Sequence, residues 1–148
     1  MPRASGGFQL TVTFDASACK EALARYADEL APAIKAAARI SADRVAAGQR
    51  ARLSRQLSGT SSGTTLANIK VTSSGPTGWR VSSTNPRMPM LPRWIEKGTK
   101  ERTKGHGRGR MPAKPYFWAE VDLEKGPHRR RIEEATEQTA QRLGLGMR

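Results

Sequence analysis

The chain has 148 residues and carries 26 Lys and Arg against 13 Asp and Glu, a formal charge of +13 with a pI near 11.1. Leu, Ile, Val and Phe together number 23, below the roughly 20% that usually accompanies a self-sufficient core, so a large private core is excluded. No run approaches the ~20 apolar residues of a membrane span, and the N-terminus lacks the apolar stretch of a signal peptide. The single cysteine, Cys19, permits neither an internal disulfide nor a cysteine metal cluster.

The apolar residues are nevertheless periodic, which predicts one ordered domain over 1–148 that completes its core against neighbours. Residues 8–14, FQLTVTF, alternate Phe8, Leu10, Val12 and Phe14 with polar residues and read as a strand with one buried face. Asp15 or Ser17 then caps a helix with apolar positions Ala22, Leu23, Tyr26, Ala27 and Leu30 and with Cys19 as a small buried residue. Pro32 predicts either a kink or a fresh start, and the pattern continues to about Leu57. Ile34, Ala37, Ala38, Ser41, Val45 and Gly48 give this stretch a face of small residues suited to close packing, while Lys35, Arg39, Arg44, Arg50 and Arg55 make its other faces basic.

Residues 58–65, SGTSSGTT, read as a flexible linker. Leu66, Ile69 and Val71, then Trp79, Val81 and Ser83, flank a Ser-Ser-Gly-Pro-Thr-Gly turn and predict a hairpin. Pro86, Pro89 and Pro92 break regularity until a short element at 93–97 closes at Gly98. From Lys97 to Lys114 seven basic residues face one acid across a glycine-rich stretch, which reads as a long exposed loop. Residues 115–123 restore apolar character, with Phe117 and Trp118 expected to return to the core. A last helix is predicted to begin near Pro127, with Ile132, Ala135, Thr139, Ala140 and Leu143 on one face and Gly144 as its C-cap. The fold class is therefore α+β: a small antiparallel sheet packed with a long N-terminal helix and a C-terminal helix, the 97–114 loop projecting.

Enzymatic chemistry is not indicated. The two histidines are His106, in the glycine-rich basic loop, and His128, beside Arg129, Arg130 and Arg131, and both read as surface residues. No metal-ligand or nucleophile-elbow spacing occurs, and the Gly105–Gly109 segment lacks the Gly-Lys-Ser/Thr ending of a phosphate loop, so no metal and no cofactor are expected. Arg108-Gly109-Arg110, followed by Pro112, resembles the core of an AT-hook, although Met111 intervenes; a small basic nucleic-acid-binding protein is therefore the alternative function. A basic loop also suits an acidic protein surface, and this is the preferred partner. Trp79, Trp94 and Trp118 could stack on bases, but their apolar neighbours favour packing.

The order of features resembles the neck or tail-completion proteins of long-tailed bacteriophages, a family of head–tail joining and minor tail proteins. Three segments carry the resemblance: the alanine-rich helix leading into Gly63-Thr64-Thr65-Leu66-Ala67-Asn68-Ile69-Lys70-Val71; Trp94-Ile95-Glu96-Lys97-Gly98-Thr99; and Met111-Pro112-Ala113-Lys114-Pro115-Tyr116-Phe117-Trp118. Pro92-Arg93-Trp94 stands where many relatives have a tyrosine-alanine pair. The resemblance implies a non-enzymatic virion protein, assembled in the host cytoplasm. It would form a hexameric or dodecameric ring between the head-completion ring and the tail terminator or tube, around the DNA in the channel and without a membrane. Ring or subunit contacts would fall to Trp94, Glu96, Gly98, Thr99, Arg102, Lys104, Arg108, Arg110, Pro112, Pro115, Phe117 and Trp118. Physically, Glu96 is expected to accept hydrogen bonds from backbone amides or from Thr99, and Gly98 to supply a turn closed to other residues.

Overall fold

The computed structural model describes residues 17–57, 60–100 and 109–145. The strand expected at 8–14, the Asp15 cap, the side chain of Cys19, His106 and the loop cations Arg102, Lys104 and Arg108 lie outside the described residues. In chain order the elements are α1 (Ser17–Gln56), α2 (Thr60–Ala67), β1 (Ile69–Ser74), β2 (Gly78–Ser83), α3 (Leu91–Lys97) and α4 (Phe117–Arg142). The architecture is α+β, with the two long helices packed against a two-stranded antiparallel sheet.

α1 runs through Pro32 as one helix, so no new helix starts there. Its small-residue face is the inner one: Ala37, Ser41, Ala42, Val45, Ala46, Gln49 and Leu53 are buried at three- and four-residue spacings. α4 crosses this face antiparallel to α1, as the pairs Arg52–Glu120 at 2.7 Å, His128–Ser41 at 3.0 Å and Arg142–Glu29 at 3.4 Å show in sequence. Gly48 lies at this contact, where a Cβ would meet the Glu120 carboxylate that pairs with Arg52 and displace that side chain. The hairpin lies on another side of α1, in the register Ile69↔Ser83 to Ser74↔Gly78. Its tip is fixed by Lys35 Nζ donating to the Gly75 carbonyl at 3.1 Å and by the Trp79 indole N–H donating to the Lys35 carbonyl at 2.9 Å. The Arg39 guanidinium lies 4.3 Å from the Trp79 ring centroid. The core gathers Ala46, Leu53, Ile69, Leu91, Ile95 and Tyr116.

Three expectations are corrected. Much of the stretch read as a linker is α2, because tertiary bonds override weak local propensity. Thr65 is fully buried and accepts a hydrogen bond from the Asn85 amide at 2.9 Å, and the Asn68 amide donates to the Thr64 carbonyl at 2.8 Å near the helix end. The last helix begins at Phe117, ten residues before Pro127, which lies inside it. This longer helix turns Glu124, His128 and Arg131 onto the face against α1, so His128 is half-buried rather than superficial. There the Ser41 hydroxyl receives an Arg131 N–H at 2.8 Å and contacts His128 Nδ1, while Arg131 also pairs with Glu124. The expectation for Gly144 holds. It adopts φ 71°, and the bonds from the Gly144 N–H to Gln141 O and from the Leu145 N–H to Ala140 O complete a Schellman ending.

Candidate functional site

The two segments that bracket the basic loop, 94–99 and 111–118, meet in space and form one clasp. Pro92 stands in the first turn of α3, where its missing N–H costs nothing, and Gly98 stops the helix with its N–H bonded to the Trp94 carbonyl at 2.7 Å. Gly98 has φ 72° and ψ −179°, a region essentially restricted to glycine. A Cβ there would stand 2.8 Å from both the Met111 carbonyl oxygen and the Ala113 nitrogen. The backbone turn and the close return of the chain therefore both require glycine at this position.

Just beyond it the loop is closed. The Thr99 N–H donates to Met111 O at 2.9 Å, the Met111 N–H donates to Thr99 Oγ1 at 2.9 Å, and the Lys114 N–H donates to Ile95 O at 2.7 Å. The returning chain is also tied to the end of α1. Lys114 Nζ reaches Gln56 O at 2.9 Å, and Gln56 Nε2 reaches Pro115 O at 3.2 Å.

Glu96 organises the centre of the clasp. Its carboxylate accepts the N–H groups of Tyr116 and Phe117 at 2.9 Å each and of Trp118 at 3.2 Å. These are the amides that the first turn of α4 leaves without intrahelical partners, and a negative charge there also complements the helix dipole. Of the two expected acceptor roles, the structure realises the one toward backbone amides; Thr99 bonds Met111 instead. The next side chain along, Tyr116, is 1% exposed and its hydroxyl lies 2.6 Å from that of Ser83, joining α4 to β2. Burial pushes the Tyr116 phenol above its ordinary range, the Ser83 bond opposes this, and the nearby Glu96 charge adds to it.

The interface residues read from the sequence divide accordingly. Trp94 and Phe117 are half-buried against the core, whereas Arg110, Pro112 and Pro115 are exposed. Trp118 is corrected: it is 57% exposed, because the step from Phe117 along α4 rotates it away while Tyr116 takes the interior position. The inward role of Tyr116 and the ties made by Gln56 and Lys114 were not read from the sequence, since each depends on a partner more than 30 residues away.

The charge is concentrated in the middle of the chain. Residues 35–114 hold 17 Lys and Arg against three acids, so they account for more than the whole net charge of +13. On the outer face of the hairpin Lys70 and Arg80 stand exposed, and among the described residues neither joins an ion pair, nor do Arg87, Arg93 and Arg110. Among the described residues there is no group of three His, Cys, Asp or Glu side chains that could hold a metal, and no helix long and apolar enough to cross a membrane. The chain matches no family model, no curated protein and no solved structure.

Proposed function

We propose that the protein is a structural, non-enzymatic component of the neck of a long-tailed phage. In this reading copies form a ring between the head-completion ring and the tail terminator or tube, and the basic loop lies across the neighbouring ring. The observation that supports it is the clasp. Two of the three segments carrying the family resemblance, Trp94–Thr99 and Met111–Trp118, are bonded to one another by Thr99, Ile95 and Glu96. The clasp thereby brackets the basic stretch at both ends, and in this reading that stretch binds an acidic partner surface. Deleting the gene from the phage that carries it is expected to leave DNA-filled heads and separate tails, counted by electron microscopy. Normal infectious particles, or failure before heads form, would reject the assignment.

A second reading, a nucleic-acid-binding protein using Arg108-Gly109-Arg110, is favoured by the excess of positive charge in 35–114 and by the exposed Lys70 and Arg80, which join no ion pair among the described residues. Salt weakens either contact, so salt dependence does not separate the two. Competition between A·T-rich and G·C-rich duplexes at fixed ionic strength does. Strong A·T preference, abolished by Arg108→Ala with Arg110→Ala, would favour the nucleic-acid reading; the neck reading expects loss of ring docking without base preference.

A further inference from the structure

Among the described residues nothing fills the face of α1 between the hairpin and α4. A groove of about 630 Å³ runs there, with Ile34, Ala38 and Ala42 on its floor, Val81 on one wall, and Val121 and Ile132 on the other. β2 borders this groove and β1 does not. β1 occupies one edge of β2, and among the described residues no strand pairs with the other. An unpaired strand edge beside an apolar trough is a template for an added strand: the edge supplies backbone hydrogen bonds and the trough accepts alternate side chains.

We propose that this groove receives residues 8–14 of a second copy of the chain, added as a strand to the free edge of β2. The segment FQLTVTF fits the chemistry. It carries no charge in a chain that is 26% charged, its apolar residues Phe8, Leu10, Val12 and Phe14 alternate, and Gln9, Thr11 and Thr13 would face water. It also fits in length. The stretch of α1 lining the groove, Ile34 to Val45, is about 16 Å long at the helical rise, and seven extended residues span about 20 Å.

The reach of the chain decides which copy supplies the strand. Ser17, where α1 begins, lies about 25 Å along the helix from Ile34. Asp15 and Ala16 alone separate Phe14 from Ser17, and those three steps cover at most about 11 Å. A protomer's own Val12 and Phe14 therefore stop short of its own groove. Glu29 meets Arg142 at the last turn of α4, so α1 from Ser17 to Asp28 extends about 18 Å past that point, farther from its own groove. Strand on one side and groove on the other make a head-to-tail contact, the kind that closes rings or extends filaments. This contact shares with the neck reading only the requirement for self-association.

The test uses the full chain. In a Cys19→Ser background, Val12→Cys with Ala38→Cys is expected to give a ladder of covalent multimers on oxidation, in denaturing gels, that the background chain does not give. These two replacements are close in size to the residues they replace and do not threaten the fold. Separately, Val12→Asp disables the strand and Ala38→Arg obstructs the groove. Each alone is expected to be monomeric by native mass spectrometry, and an equimolar mixture to form a dimer, pairing the intact strand of one variant with the intact groove of the other. A disulfide closed within one chain, no covalent ladder, or a monomeric parent chain would overturn the proposal. Assembly that persists in Val12→Asp would overturn strand exchange while leaving ring formation, and with it the neck reading, standing.

Discussion

At its N-terminus α4 is capped by the carboxylate of Glu96, which lies on a different helix twenty residues upstream of Tyr116; at its C-terminus it is capped by its own next residues, Gly144 and Leu145. A glycine at nearly the same φ stands by each end: Gly98, the C-cap of α3 within the clasp, at 72°, and Gly144 at 71°. Their surroundings differ. Gly98 is pressed against the returning backbone of Met111 and Ala113, while an added Cβ at Gly144 would meet nothing within 4 Å. The first cap is thus a tertiary joint that holds the loop base, α3 and α4 together, and the second is a local stop. Disturbing the first should spread through the molecule, whereas disturbing the second should only fray a helix.

The largest difference between the two ends should come from Gly98→Ala. Both the glycine-only backbone region and the 2.8 Å approaches to Met111 O and Ala113 N stand in its way. A loss of about 3 kcal/mol is expected, read as a lowered denaturation midpoint, with the Thr99–Met111 amides losing protection from hydrogen exchange. Retained protection there would mean the clasp does not depend on Gly98. Glu96→Ala should follow, at about 2 kcal/mol, since three amides lose a charged acceptor in a partly buried setting. Glu96→Gln keeps an acceptor oxygen and should recover about half of that loss. If both variants cost the same, the charge and not the hydrogen bonding is what α4 needs at this end.

Local signals were the legible ones. The hairpin could be read from the Ser-Ser-Gly-Pro-Thr-Gly turn and the apolar residues flanking it, the α1 packing face from its small residues, and the stop at Gly144 from its place after the last apolar position. Gly98 was legible as a turn, and Glu96 as an acceptor of amides, though not of which amides. The start of α4 was not legible, because the residue that makes Phe117 a viable first turn is Glu96, and Pro127 offered a nearer and misleading local start. α2 was hidden for the same reason: nothing in SSGTT favours a helix until Asn85 supplies a partner for Thr65. The groove is a relation among α1, β2 and α4, and no single segment encodes it.

Tyr116 links the tertiary cap to the sheet and sharpens the comparison through pH. Tyr116→Phe removes the bond to Ser83 and should cost about 1 kcal/mol at neutral pH. The folded protein holds the phenol protonated to higher pH than the unfolded chain does. This stabilisation is present in full below the unfolded phenol value of 10.0 and is lost as the pH rises from there through the folded value. The parent chain should therefore lose stability more steeply above pH 10 than Tyr116→Phe does, in denaturation curves recorded at stepped pH. Parallel curves would show that the phenol ionises equally in both states and that its burial is not maintained.

The smallest effect is expected at the local cap, and it makes the contrast between the two glycines quantitative. Gly144→Ala places a Cβ in open space, so its whole cost is that of holding an L residue at positive φ, about 1 kcal/mol. Asn tolerates the left-handed conformation better than Ala, because its short polar side chain bonds locally, so Gly144→Asn should cost roughly half as much. Asn should bring no such relief at Gly98, where the obstruction is the backbone of Met111 and Ala113 and any Cβ meets it. The readout is the pair of Ala-to-Asn differences at the two positions, measured by denaturation under one set of conditions. A relief at Gly144 with none at Gly98 separates a conformational requirement from a spatial one. Equal relief at both would mean that the 111–113 backbone yields, and that the loop base is looser than its hydrogen bonds imply.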